Sequence, residues 1–324
     1  ISTTLGVLAM VLALLPCAPS AQAQSYPAKP VRWSIAGGAG GAYDIVARAL
    51  LPMIGNAMGQ PQVMENRAGS SGIAGTDFIA KAAPDGYNLL FAGNTQFTLV
   101  KFTNADLPYD PQRDIAPISL IAYLPSVLFI NSSLPVASWP EFVAHVKASP
   151  GKLNYSSGGI GHSLHFGMEL LKLRTGLDIT HVPYKTTPAA VQDLVAGRVQ
   201  TMFYPPTGQL MGLIKEGKLR AIATPTEKRF ARLPEVPTMG EAGMPGFESA
   251  AGIGLLAPAG TPAAVITRLQ QEIAKIFKMP DVREKLFAQG VEPVGSTPQE
   301  FAAFLNNETT VWAKVIKSSG LKPE

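Results

Sequence analysis

Val31-Arg32-Trp33-Ser34-Ile35-Ala36-Gly37-Gly38-Ala39-Gly40-Gly41-Ala42-Tyr43-Asp44 is the stretch on which the fold turns. It predicts a short strand, a loop with four glycines, and the first turn of a helix running on through Ile45-Val46-Ala47-Arg48-Ala49-Leu50-Leu51. A strand that feeds a glycine loop at a helix N-terminus presents free backbone N–H groups beside the positive end of the helix dipole. That arrangement suits an anion, either carboxylate or phosphate.

Upstream, Leu5 to Leu15 form an uncharged apolar run, interrupted at Gly6 and closed by Pro16. Ala21-Gln22-Ala23 follows, so residues 1–23 read as a secretory signal peptide cut after Ala23, too short to span a membrane. The absence of a basic leading region and an initiator Met predicts that the precursor starts further upstream. Pro16 before Cys17 fits a lipoprotein cleavage site poorly, so Cys17 is expected to leave with the signal. The mature chain then has no cysteine, which excludes disulfide and thiol chemistry. Of 324 residues 301 remain, enough for two domains. Hydrophobic residues at 46% and charged residues at 15% describe a packed globular body. The net charge of +4 is scattered among acids and gives no support for a nucleic-acid partner.

Strand-like runs alternate with amphipathic ones, the pattern of parallel α/β sheets. The buried-strand candidates are Leu89–Ala92, Val127–Ile130, Ile179–Val182, Thr201–Tyr204 and Ala221–Ala223. Helices are expected over Trp139–Ala148, Ser163–Thr175 and Ala189–Ala196. Thr261-Pro262 predicts a capping hydroxyl ahead of a proline at the first helical position, with Val265, Leu269 and Ile273 as one apolar stripe. Thr297-Pro298-Gln299-Glu300 is a capping box leading into Phe301, Phe304 and Leu305.

The motifs of common enzyme classes are missing. Tyr43 stands where a dinucleotide fingerprint needs its third glycine, and no phosphate loop ending in Gly-Lys-Ser/Thr occurs. Gly161-His162-Ser163-Leu164-His165 lacks the closing glycine of a nucleophile elbow. His165 and Glu169 have the i, i+4 spacing of a metal pair, but no third and fourth ligand is evident, so no metal is expected. His145 is expected at the surface or half-buried, and His181 in a structural hydrogen bond.

A second loop has the same grammar. Asn154-Tyr155-Ser156-Ser157-Gly158-Gly159-Ile160-Gly161-His162-Ser163 predicts a strand, a small polar and glycine loop, then a helix. Its hydroxyls and N–H groups suit an acceptor-rich ligand; a plain strand–helix turn is the alternative. Two such loops about 120 residues apart suggest two domains, each offering a helix N-terminus to one ligand between them.

Several ordered motifs then match a known family. They are Tyr26-Pro27-Ala28-Lys29-Pro30, the glycine loop ending in Asp44, Glu65-Asn66-Arg67, Ala82-Ala83-Pro84-Asp85-Gly86-Tyr87 and Leu107-Pro108-Tyr109-Asp110-Pro111. Pro150-Gly151-Lys152-Leu153-Asn154-Tyr155, His181-Val182-Pro183-Tyr184-Lys185, Pro237-Thr238 with Glu241-Ala242-Gly243, and Leu256-Ala257-Pro258-Ala259-Gly260-Thr261-Pro262 continue the match. From Tyr26 to near the C-terminus the chain resembles the Bug-type substrate-binding proteins of tripartite tricarboxylate transporters.

The resemblance implies an α/β, two-lobed, type II-like periplasmic binding protein, each lobe a mainly parallel sheet flanked by helices and joined by hinge strands. Lobe 1 is expected over 24–126 and 248–324, and lobe 2 over 127–247. The resemblance further implies a receptor without catalysis or cofactor, monomeric and periplasmic, with a small carboxylate and membrane permease subunits as partners. A ligand sensor feeding a signalling protein is the alternative. Carried over from the family, the ligand contacts are Gly40, Gly41, Tyr43 and Asp44 on one lobe, and Ser157, Gly158, His162 and Ser163 on the other, with polar additions from Asn94 and Thr95.

This chain departs from the family pattern at several of these places. Ala36, Gly38 and Ala39 stand where prolines are usual, and Tyr43 replaces a small hydroxyl residue. His162 stands where a small polar residue is common, Thr186 replaces a glycine after Lys185, and Tyr204 replaces an aspartate. Losing that carboxylate removes a counter-charge for an ammonium group and argues against an amino-acid ligand. Tyr43 and Tyr204 add flat apolar surface with a polar tip. The ligand expected on these grounds is a dicarboxylate or aromatic carboxylate with an apolar middle, such as adipate or terephthalate. The alternative is that both tyrosines merely pack within their lobes.

Overall fold

Val31, Trp33 and Ile35 are buried on one face of strand β1 (Val31–Ile35) and Ser34 on the other, so β1 runs through the inside of its sheet. The computed structural model describes residues 26–247 and 250–319; the predicted signal peptide lies outside them. From β1 the chain runs through α1 (Ala42–Met58), β2 (Gln62–Asn66), α2 (Ile73–Ala80), β3 (Asn88–Gly93) and β4 (Ile115–Pro125). It continues with β5 (Val127–Asn131), α3 (Trp139–Ala148), β6 (Leu153–Ser157), α4 (Ser163–Thr175), β7 (Ile179–Pro183), α5 (Thr187–Val195), β8 (Thr201–Tyr204), α6 (Gly208–Lys215) and β9 (Leu219–Ala223). The last part holds β10 (Ala250–Pro258), α7 (Ala263–Ile276), α8 (Pro280–Ala288), β11 (Glu292–Pro293) and α9 (Pro298–Ser319).

These strands form two sheets, of order β11-β4-β10-β3-β1-β2 and β7-β6-β8-β5-β9. Each is mixed rather than mainly parallel. The βα units β1–β2–β3 and β6–β7–β8 pair in parallel, as the alternation predicts. The antiparallel strands arise where the chain changes lobe. β4 runs out of the first sheet directly into β5, and β10 brings the chain back beside β4 in the opposite direction, with Ala250 against Pro125. Outward and return strands laid side by side are antiparallel by necessity.

Each sheet has its own core. Phe129, Phe142, Tyr155 and Phe203 lie in the second, and Trp33, Leu50, Phe91 and Leu269 in the first. Burying a side chain such as Phe129 stabilises by about 1.5–3 kcal/mol. A smaller cluster ties the lobes together: Phe166 of α4 packs on Trp312 of α9, ring centroids 5.6 Å apart, beside Leu99 and Ile316. The capping box forms as expected, Glu300 N–H reaching Thr297 Oγ1 at 3.2 Å and Thr297 N–H reaching the Glu300 carboxylate at 2.8 Å. Thr261 does not cap α7. Its hydroxyl donates back to Pro258 O at 2.8 Å, because the turn from Pro258 to Thr261 points it away from the helix.

Candidate functional site

The glycine loop leaves β1 at Ile35 and enters α1 at Ala42 with Gly41 as an N-cap that offers no side chain. The first N–H groups of α1 are therefore free of intrahelical partners. Asp44 works from beneath: its Oδ2 accepts the Gly40 N–H and Arg48 Nε, both at 2.8 Å. Burial opposes the charge on Asp44, but Arg48, the Gly40 N–H and Asn66 outweigh it and hold the carboxyl below its ordinary range. Gly38 lies against the other lobe, and a Cβ there would meet Thr186 Cγ2 at 2.9 Å.

Loop 157–162 has a neutral brace. Ser157 Oγ lies 2.7 Å from His181 Nε2 and accepts the Gly159 N–H at 3.2 Å, the structural hydrogen bond expected of His181. His181 stacks on His165 with centroids 4.3 Å apart, and His165 Nδ1 takes the Gly161 N–H at 3.3 Å. His162 is the N-cap of α4: its Nδ1 accepts the Leu164 N–H at 3.2 Å, which places the proton of the neutral ring on Nε2. Burial, aided by the charge of His165, pushes His162 down to about 4, and burial pushes His181 down to about 3. Both rings are neutral at pH 7.

Two further helix starts complete the site. α2 begins after Ala68-Gly69-Ser70-Ser71-Gly72, and α5 begins at Thr186-Thr187-Pro188. Ser71 sits at φ 53°, the single non-glycine residue at positive φ among the described residues, and its Oγ donates to Ile160 O across the cleft at 2.7 Å. Four helix N-termini thus face one cavity of about 50 Å³, those of α1 and α2 from one lobe and α4 and α5 from the other. No acidic residue lines it.

Tyr43, which lines this cavity, brings its hydroxyl end against Gly93, where a Cβ would fall 1.8 Å from the phenolic oxygen. Burial pushes Tyr43 up to about 12, against the lowering effect of the Thr95 and Ser163 hydroxyls. Neither the Tyr43 hydroxyl nor Ser163 Oγ, both buried, makes a hydrogen bond of acceptable geometry among the described residues, so the Thr95 and Ser163 hydroxyls act on Tyr43 as nearby dipoles. Tyr204 crosses from the other lobe, its hydroxyl 3.4 Å from Thr187 Oγ1 and set against the Ala42 N–H.

Of the residues expected from sequence, Gly41, Tyr43, Gly158, His162, Ser163, Thr186 and Tyr204 line the cavity. Gly40, Asp44, Ser157 and Thr95 stand one bond behind it; Thr95 Oγ1 accepts the Ser163 N–H across the lobes at 2.9 Å. Asn94 turns elsewhere, its Nδ2 donating to Glu308 of α9 at 3.1 Å. No group of three or more His, Cys, Asp or Glu able to hold a metal occurs among the described residues.

Comparison with known proteins places this architecture. The family described as the tripartite tricarboxylate transporter family receptor matches residues 46–321. The chain belongs to that receptor family. It is a family of substrate-binding receptors rather than an enzyme class. BugT of Bordetella pertussis is 34% identical over 319 residues, covering 98% of both chains. The solved structure of Rpa4515 from R. palustris with adipate is 32% identical, with a TM-score of 0.89 over 92% of this chain and 100% of that one. MatC from Rhodopseudomonas palustris, with bound malate, is 30% identical, with a TM-score of 0.84 over 90% of this chain and 100% of that one.

In this receptor, sequence reasoning passed over Ala68, Gly69, Ser71, Gly72, Lys185 and Thr187, which all line the cleft. A signal was present for the first four of these. Glu65-Asn66-Arg67 leads from β2 through Ala68-Gly69-Ser70-Ser71-Gly72 into Ile73, the same strand, small-residue loop and helix as in the other two loops.

Proposed function

We propose that the protein is a periplasmic receptor that encloses a small organic carboxylate between its lobes and delivers it to the membrane subunits of a tripartite tricarboxylate-type transporter. The observation that carries this is the meeting of four helix N-termini around a cavity without acids. Each terminus brings a partial positive charge of about half a unit, although the Ser163 and Leu164 N–H groups of α4 are already taken by Thr95 and His162. The unpartnered Tyr43 hydroxyl and Ser163 Oγ add buried polar groups that a ligand oxygen would satisfy, as would the His162 Nε2–H. Lobe closure stabilises the complex by replacing the water around the anion with these fixed donors.

The lining favours an anion with an apolar middle. Tyr43, Tyr204, Leu124 and Pro205 supply apolar wall, and no carboxylate stands ready for an ammonium group. Adipate and malate in the two related structures are both dicarboxylates, which supports the same class here. Calorimetric titration of the mature protein with adipate, terephthalate, malate, aspartate and glutamate tests the proposal. Binding is expected for the dicarboxylates without an ammonium group, and tight binding of aspartate or glutamate alone would overturn it. Delivery is tested by co-purification: recovery with permease subunits supports it, and recovery with a sensor kinase instead refutes it.

A further inference from the structure

The acid-free inner cavity opens beside a second space of about 370 Å³, walled by Ser71, Thr103 and Asn104 from one lobe and Ile160, Tyr184 and Lys185 from the other. Ser71, Gly158 and Lys185 border both spaces. Lys185 carries the sole formal charge in either lining. It is exposed and has no ion-pair or hydrogen-bond partner among the described residues. Lys172 and Arg198 of the same lobe are engaged, the first with Glu169 at 2.8 Å and the second with Asp193. Asp193 also accepts the Tyr184 hydroxyl at 2.6 Å.

We propose that the outer space is a second subsite, in which Lys185 pairs with a distal anionic group of the ligand while the helix N-termini hold the proximal one. This rests on the receptor reading above and makes Lys185 a specificity-determining residue for dianions over monoanions. The inner cavity already offers N–H and hydroxyl donors for one carboxylate, so the Lys185 ammonium, which borders both spaces, is left for a second charge. A ligand long enough to pass Ile160 brings its second charge to a flexible ammonium at the mouth. There the lobe walls displace part of the water, and the attraction exceeds that of a pair on open surface. The left-handed backbone of Ser71 fits the same picture. It holds the wall common to both spaces, and its hydroxyl closes the lobes on the Ile160 carbonyl at 2.7 Å.

The test is a cycle of ligand against variant, in which wild type and Lys185→Gln are titrated with adipate and hexanoate, and with terephthalate and 4-methylbenzoate. Each pair differs in one carboxylate, so the cycle isolates the coupling to Lys185. Lys185→Gln is expected to weaken the diacid that binds by about fivefold to tenfold and its monoacid partner by less than about twofold. Lys185→Glu is expected to favour 6-aminohexanoate over adipate. Unchanged thermal melting of the unliganded variants checks that the fold is intact. Equal losses for diacid and monoacid, or no loss for either, overturn the subsite while leaving the receptor reading in place. Failure of wild type to bind any of the four acids overturns the subsite, and failure to bind malate as well overturns the carboxylate reading itself.

Discussion

Loop 36–41 is braced by charge, with the Asp44 carboxylate gripping the Gly40 N–H from below and Arg48 behind it, whereas loop 157–162 is braced by neutral imidazoles stacked behind Ser157 and Gly161. Both are small-residue links from a parallel strand into a helix, and both face the same cavity. The run from strand through small residues into helix is common to both loops, while its support is free to vary. The difference in support separates the conditions under which each half should give way.

The largest expected effect is from Asp44→Ala. It strips a partner from the Gly40 N–H and a half-exposed Arg48, and should destabilise the protein by about 1–3 kcal/mol. Ligand affinity should fall with it, measured by chemical denaturation and calorimetry. Ser157→Ala, which removes neutral bonds, should cost about 1 kcal/mol. Should the serine variant prove the more damaging, the charged brace is not what distinguishes the first loop.

Acid titration comes next in size. His162 and His181 have folded values, about 4 and about 3, below the ordinary 6.5, so the unfolded chain binds more protons once pH drops under 6.5. Stability should therefore fall as pH is lowered from 6.5 toward 4, by at most ~1.4 kcal/mol per pH unit for each histidine. Asp44 has the same sign in a lower pH window. Its folded value is depressed below 3.8, so its contribution is intact above that pH and is lost on further acidification. Melting curves across this range should show a slope between pH 6.5 and 4 that His162→Gln and His181→Gln each reduce and that Asp44→Ala leaves alone. A slope indifferent to both histidine variants would break the contrast.

The smallest effect sharpens the first-lobe side. Tyr43→Phe deletes a buried hydroxyl that has no partner in the unliganded protein, so melting should stay level or rise slightly. Affinity for the ligand should drop by roughly threefold to tenfold if that hydroxyl bonds it. An unchanged affinity would mean that Tyr43 only packs on Gly93.

Much of this was legible because it is local. Periodicity marks α3 at Trp139–Ala148 and α4 at Ser163–Thr175, and glycine with small polar residues marks two of the cleft loops. The third loop, Ala68 to Gly72, had the same signal, overlooked beside a family motif. Asn94 shows the limit. Its position just past β3 suggests the cleft, but its side chain answers to Glu308, 214 residues away. The parallel expectation for the sheets was of the same kind: alternation predicts the βα units, while the direction of β4, β5 and β10 depends on where the chain changes lobe.

Strand–glycine–helix turns are set by the sequence alone, and the order of its motifs sets the family. Turn chemistry, helix starts and apolar spacing are written within a few residues of where they act. The tertiary structure alone decided that four such helix starts, from 42, 73, 163 and 187, share one cavity with Tyr43 set against Gly93 and Lys185 unpaired at its mouth. Those meetings are set by strand order and by the packing of one lobe on the other, which no local stretch of chain encodes.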